Sequence, residues 1–377
     1  MCPSVSFVTT PLRFLGDLHI RNADAYHFTT DVSLGISMTL PPMISAKALG
    51  AMPQFVYEVA GEKRLEKAME AADLPHHFIE ERSGYISEHS LATFVEQAAR
   101  SAGHQNIGLL WSPYLTVADY GLWGEYVLSA PTLGNALRRA TSVMPFHSSV
   151  DRAWLEASGR RSRYCYKFGM PEHPAYADIA FSAIGVFLSI FREYLGRGWT
   201  PTAVLLDFAK VPNSVEVEDT YGCPIVWNAP RLGVEFESSL FLVENRRQYR
   251  VRGFVTVDDV ARERVGGPPE TIAGQVAAIA RQQLHHKEIS VDATARALGL
   301  GVRTLQRKLD EEGAQFRRIV TDVRVSRAKE LLSSQSGTIA DIATALGYET
   351  ANNFSRAFKT ATGVSPSEHR ILGRDRF

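Results

Sequence analysis

The chain carries one small device twice. Residues 291–313 read VDATARALGLGVRTLQRKLDEEG, and residues 339–363 read IADIATALGYETANNFSRAFKTATG. Ala295, Leu298, Gly299 and Leu300 fall on Ala343, Leu346, Gly347 and Tyr348 at an offset of 48. Leu305, Arg307 and Leu309 fall on Phe354, Arg356 and Phe358 at an offset of 49. Two helix–turn–helix units therefore repeat, and the second turn is one residue longer.

The spacing has a physical reason. Ala295 must be small because the second helix crosses close to the first. Leu298 and Leu300, like Leu346 and Tyr348, supply the apolar grip around the turn. Gly299 and Gly347 stand where a helix ends and the chain needs φ > 0. Leu305 and Leu309 are one helical turn apart and share a face. That leaves Arg303, Thr304, Gln306 and Arg307 as the outward set of the first unit. In the second unit it is Asn352, Asn353, Ser355 and Arg356. Arg, Gln and Asn carry forked groups that match base edges in the major groove, and a helix–turn–helix presents its second helix there. We expect these eight residues to contact bases in double-stranded DNA, and Lys308, Arg317, Arg318 and Lys359 to contact phosphates. One such pattern alone is often just two packed helices. A tandem pair with forked polar residues on both outward faces is hard to reach by packing alone.

The phrases RTLQRKLDEEG (303–313), ALGY (345–348), NFSRAFK (353–359) and GVSPSEHR (363–370) resemble the DNA-binding domain of AraC/XylS-type transcription regulators, over residues 272–372. Two positions depart from the family pattern. Gly301 stands where a Ser helix cap is usual, a change of small cost. His369 replaces a usual Tyr. The phrases GLLWSP, SAPTLGNALRRA and YGCPIVWNAPRLGVEFESSLF resemble the regulatory domain of one subgroup with an arabinose-binding-like N-terminal part, which includes ornithine-utilisation and virulence regulators. The resemblance implies a small-molecule effector, a homodimer, RNA polymerase as a partner, and an activator.

The 377 residues call for two or three domains. A net charge of zero hides an asymmetry: residues 270–377 hold 16 Lys+Arg against 12 Asp+Glu, leaving 25 against 29 in residues 1–269. A basic C-terminal part beside an acidic N-terminal part fits a nucleic-acid module joined to one that avoids DNA. Cys2, Cys165 and Cys223 make no even framework, which points to free thiols in a reducing cytoplasm. The N-terminus is a poor signal peptide. The apolar run Ile179 to Phe191, about 13 residues, is shorter than the ~20 that a bilayer requires.

Along the chain, residues 1–42 show no sustained period and read as an N-terminal lead. Residues 44–75 read as helices. Ser87 caps a helix from Glu88 to Ala102, whose Leu91, Phe94, Val95 and Ala98 follow the helical period. Pro131 opens another helix. DRAWLEA (151–157) and SRYCYKF (162–168) form a hairpin, residues 175–195 a long apolar helix, and AVLLDFA (203–209) a buried strand. Two short strands flank Asn228-Ala229-Pro230. Residues 43–257 are thus an α+β sensing and oligomerisation domain with a mainly antiparallel sheet. Residues 258–271, with Gly266-Gly267-Pro268-Pro269, are the linker. Residues 272–377 form an all-α DNA-binding domain, with units at 290–313 and 338–363. A connecting helix of ~18 residues, near 27 Å, joins the units and can hold two recognition helices one DNA turn apart. Thr338 and Asp341 look like a capping box, and Ser365-Pro366 opens the last helix.

The chain lacks the phosphate-loop, dinucleotide, metalloprotease and nucleophile-elbow motifs. An enzyme, a metal site and a cofactor are therefore not expected. His76-His77 and His285-His286 are adjacent pairs whose side chains point apart. Cys165 paired with His147 as a nucleophile is conceivable, but a buried small hydrophobe is the simpler reading. Trp111, Tyr120, Trp123, Tyr126, Tyr164 and Tyr166 are candidates to line a ligand pocket, with core packing as the default for any one of them. The chain reads as a ligand-responsive regulator of transcription. The alternative is a ligand-blind DNA-binding protein whose N-terminal part only dimerises or binds a protein partner.

Overall fold

The computed structural model describes residues 40–79, 82–103, 106–245, 255–284, 289–334 and 337–374. Cys2, His285 and His286, and nearly all of the expected N-terminal lead, lie outside them.

The regulatory part opens with a small antiparallel pair, β1 (Met43–Ser45) and β2 (Tyr85–Ser87), in which Ile44 faces Ile86. Between them lie helices α1 (Met52–Ala60) and α2 (Glu62–Ala71). The Ser87 hydroxyl accepts from the Ser90 amide and starts α3 (Glu88–Ala102), and Gly103 ends it in the left-handed conformation. That pattern of cap, apolar stripe and terminal glycine was legible in the sequence. The aromatic stretch after it folds into α4 (Ile107–Trp111) and α5 (Leu122–Leu128), with short 3-10 turns between them. Thr132 caps α6 (Leu133–Ser142).

The main sheet begins with the hairpin β3 (Arg152–Ser158) and β4 (Arg161–Lys167). Then come α7 (Tyr176–Leu195), β5 (Ala203–Leu205), α8 (Ser214–Tyr221), β6 (Ile225–Val226) and β7 (Leu232–Glu237). The strand order is β3-β4-β7-β5-β6, antiparallel except for the β5–β6 pair. The expected strand 203–209 shortens to three residues, and α8 was not foreseen.

Helix α7 is the centre of this domain. Its 20 residues are buried on nearly every side. It packs Phe187 edge-on against Tyr164 and Tyr166 of β4, with ring centroids 5.2 Å apart. On its other side α4 comes so close that a Cβ on Gly108 would lie 2.0 Å from the Asp178 carbonyl oxygen. The Asp178 carboxylate in turn accepts from the Gly108 amide at 2.8 Å.

The segment expected to be a plain linker starts with a capped helix, α9 (Val257–Glu263), where Thr256 and Asp259 form a capping box. Only residues 264–271 are non-helical. They lead into α10 (Ile272–Gln283), then α11 (Val291–Ala297), α12 (Val302–Glu311), α13 (Phe316–Ser333), α14 (Ile339–Ala345), α15 (Ala351–Thr362) and α16 (Pro366–Arg374). The fold is α+β followed by an all-α region. Two apolar clusters support the helices. One joins α10, α13, α14 and α15 through Ala328, Leu332, Ile342, Phe354 and Phe358. The other brings Met43 and Tyr85 of the regulatory part against Ile272, Val276, Ala295, Leu298, Leu305 and Leu309.

Candidate nucleic-acid interface and cavity

Both repeats close their first helix in the same way. In the first, the Leu300 amide donates to the Ala295 carbonyl and the Gly299 amide to that of Arg296, each at 2.8 Å. In the second, the Tyr348 amide donates to the Ala343 carbonyl at 2.9 Å and the Gly347 amide to that of Thr344 at 3.0 Å. These are Schellman ends, with Gly299 at φ 66° and Gly347 at φ 74°. The extra residue of the second turn lets Thr350 cap α15 through the Asn353 amide, whereas Gly301 gives α12 no side-chain cap.

The inner faces are apolar. Leu305 and Leu309 of α12 and Phe354 and Phe358 of α15 are buried. Outward, Arg303, Gln306 and Arg307 are exposed on α12, and Asn352, Asn353, Arg356 and Lys359 on α15. Thr304 and Ser355 are half-buried at the edges of these faces. Arg307 pairs with Glu311 at 3.0 Å, one turn along α12. Arg317 and Arg318 are exposed in the first turn of α13. Lys308 requires a correction. It is only 6 % exposed, because position 308 is one turn beyond Leu305 and so falls on the packed face of α12. It is not placed to meet a phosphate.

In the regulatory part, Tyr120, Trp123, Tyr164 and Tyr166 surround one small cavity of about 50 Å³. His147, Met144 and Phe187 complete its aromatic and sulfur wall, and Val117, Ala183, Val186 and Ile190 its aliphatic one. The imidazole of His147 stacks on Tyr120, with centroids 5.1 Å apart and planes 12° apart. Burial, then the nearby Arg264, pushes its pKa down to about 3, so it stays neutral. Its Nδ1 is buried without a hydrogen-bond partner. Burial raises the Tyr120, Tyr164 and Tyr166 phenols, so they stay protonated.

The other two aromatic candidates sit elsewhere. Trp111 donates to Ser182 on α7 at 2.6 Å and meets Phe55 edge-on, a packing role at the α4–α7 contact. Tyr126 lies under the Arg139 guanidinium, 4.7 Å from the ring centre. Sequence reasoning missed His147 and Met144 as cavity residues. The spacing of Ala183, Val186, Phe187 and Ile190 on one face of α7 was the available signal. Cys165 lies between Tyr164 and Tyr166 on the strand and so points to the other face of the sheet. Burial pushes its thiol up to about 12, which makes it a poor nucleophile.

Two polar chains tie the cavity to the helical region. Tyr166 donates to the Asp151 carboxylate, which also accepts from the Gly169 amide at 2.9 Å. Glu88 accepts from Ser148 at 3.0 Å, and burial, then Asp151, pushes its carboxyl far up, so this buried pair holds a proton. Glu88 is the first residue of α3, where Ser87 and Ser90 both donate to the Ala297 carbonyl at the end of α11. The second chain is shorter. Arg264, 4 % exposed at the end of α9, donates to the Tyr120 carbonyl at 2.8 Å. The Tyr85 hydroxyl shares its one proton between the Phe146 carbonyl at 2.8 Å and the Arg264 carbonyl at 3.2 Å, and the Tyr85 carbonyl accepts from Gln282 on α10. Beside them Arg296 pairs with Asp73 at 2.9 Å across the same junction.

Residues 64–243 match the family model described as the arabinose-binding domain of AraC transcription regulators, and residues 294–371 match a helix-turn-helix domain. The ornithine utilization regulator of Pseudomonas aeruginosa is 21% identical over 310 residues, 80% of this chain and 89% of that protein. An uncharacterized HTH-type transcriptional regulator of Mycobacterium tuberculosis is 41% identical over 79 residues, a stretch that spans 21% of this chain and 23% of that protein's length. Transcriptional regulator CdpR from Pseudomonas aeruginosa, a crystal structure, is similar at 22% identity over 70% of this chain and 86% of that one, with a TM-score of 0.32. These relatives are transcription regulators, not enzymes. The chain belongs to the AraC family of DNA-binding transcription regulators.

Proposed function

We propose that this regulator is a homodimeric activator in the cytoplasm, and that a small molecule in the cavity of its regulatory domain controls how the helical region engages the operator and RNA polymerase. The observation that carries the reading is the Arg264 strap. The cavity wall at Tyr120 is held by the residue that ends α9, and that residue is bonded through Tyr85 to α10 of the DNA-binding region. A ligand that moves Tyr120 moves this strap. Arg303, Gln306 and Arg307 on the first recognition helix, and Asn352, Asn353 and Arg356 on the second, would read bases, with Thr304 and Ser355 at their margins. Arg317, Arg318 and Lys359 would meet phosphates.

The free cysteines fit a reducing compartment, and no described helix is long and apolar enough to cross a membrane. Dimerisation follows from the need to cover paired sites, since one tandem unit spans about two turns of duplex. Sedimentation of the full chain as a monomer at tens of micromolar would remove that part of the reading. The central test is operator affinity in the full chain with Arg264→Gln. The exchange keeps a hydrogen-bond donor but not the guanidinium. Effector response should weaken in this variant while affinity for random DNA stays unchanged. An unaltered response would remove the Arg264 strap from the reading, and no response to any small molecule in the unaltered chain would favour a ligand-blind regulator.

A further inference from the structure

We propose that the cavity takes a small, uncharged, largely apolar ring with one or two hydrogen-bonding groups, of the phenol or indole kind, rather than a charged amino acid or a sugar. This rests on the effector reading above.

None of the residues lining the cavity is Asp, Glu, Lys or Arg. A carboxylate or ammonium entering it would lose its water and find no counter-charge, a cost that buried ions escape only by pairing. The nearest fixed charges are engaged behind the wall. Arg264 is spent on the backbone of Tyr120, and Asp151 is capped by the Tyr166 hydroxyl. A sugar fares little better, because each buried hydroxyl needs a partner. The wall offers few: Trp123 already donates to the Val143 carbonyl at 2.9 Å, and Tyr166 is committed to Asp151.

What the wall does offer is a set of ring faces and edges. Tyr120 and His147 stack as a pair, Trp123 is inclined to Tyr120 at 58°, and Phe187 turns toward Tyr164 and Tyr166. Flat rings fit between such faces by stacked and edge contacts. The buried Nδ1 of His147, without a partner, is the polar atom that remains to be answered. A neutral imidazole holds one donor and one acceptor, so a single hydroxyl or N–H of the ligand suffices.

The cavity of about 50 Å³ is smaller than the ring it would receive. Cavities that hold benzene are roughly three times larger. The ligand must therefore widen it, and Met144 is the adaptable part of the wall. Widening presses on Tyr120, the residue that Arg264 straps to the DNA-binding region, so size and regulation become one event.

Thermal unfolding of the full chain with phenol, indole, L-ornithine and L-arabinose tests this. Phenol or indole should raise Tm by about 2–4 °C at roughly ten times its dissociation constant, and L-ornithine and L-arabinose should not. Ala183→Leu, which fills the cavity from α7, should abolish the rise. Val186→Leu is the milder companion if that variant does not fold. A rise with L-ornithine or L-arabinose that the filling variants remove would keep the site and overturn the ligand class. A rise with phenol that survives both variants would overturn the cavity as the effector site. No rise with either ring at about 10 mM would overturn the proposal.

Discussion

The two helix–turn–helix units share a pattern but not a setting. The first is built into the junction with the regulatory domain. Its Ala297 carbonyl accepts from Ser87 and Ser90, its Arg296 pairs with Asp73, and its Leu298, Leu305 and Leu309 share a cluster with Met43 and Tyr85. Gly299 lies under His89, where an added Cβ would meet the ring at 3.1 Å. The second unit closes on α13 and its own aromatic pair, Phe354 and Phe358, and its Tyr348 sits under Arg324. The lesson is that one repeated sequence serves two purposes. The first unit is bonded and packed to the regulatory domain, and the second stands on a core of its own.

The sharpest way to break the comparison is to hollow each unit in turn. Phe354→Ala should cost about 3–5 kcal/mol and Leu305→Ala about 2–5 kcal/mol of stability in denaturant unfolding. Hydrogen exchange should then separate them. Leu305→Ala should expose the first-turn amides of α3, and Phe354→Ala should leave them protected. Equal effects on α3 would mean that the two units are coupled to the junction alike.

The readers themselves come next. Arg307→Ala should lose roughly 1–3 kcal/mol of operator affinity and relax the choice at a guanine in one half-site. Arg356→Ala, at the matching place, should cost less and act evenly over sequences. Asp341, an acidic residue of the same unit, is taken by the Thr338 cap at 2.8 Å. Binding to operators with each half-site scrambled in turn decides, and a larger, base-selective loss for Arg356→Ala reverses the ranking.

A smaller contrast separates the two lysines. Lys359→Ala should flatten the salt dependence of binding by about one unit on specific and random DNA alike. Lys308→Ala, at a buried position, should change stability and leave the salt slope intact.

The smallest effect is at low pH. The Asp341 carboxyl is held below its ordinary value by the amide and hydroxyl of Thr338, whereas the first unit has Ala293 at the equivalent place. A lowered folded pKa gives stability that is present above the unfolded value and is lost as pH falls through the folded one. Acid below about pH 4 should therefore loosen α14 before α11, as amide exchange at the two helix starts would record.

Much of this was readable before the fold. The offset repeat, the Gly299 and Gly347 turns, the Ser87 and Thr338 caps, and α3, α7 and α13 all follow from local rules acting over a few residues. The family resemblance lay in the same short phrases. The outward faces of α12 and α15 follow from helical period alone, and at Lys308 the reading failed because that period was not applied strictly. Four of the six aromatic candidates meet in one cavity, yet nothing local distinguishes them from Trp111, which packs α4 on α7.

The sequence alone determined that two DNA-reading units lie in tandem behind an α+β domain, because caps, periods and turns act within one element. Tertiary structure alone decided where the cavity is, that His147 belongs to it, and that Arg264 joins its wall to the DNA-binding region. Those facts depend on residues far apart in the chain: the cavity draws on positions from 117 to 190, and Tyr120 and Arg264 are 144 positions apart. Their meeting is set by the packing of whole elements, which leaves no period in the chain to read.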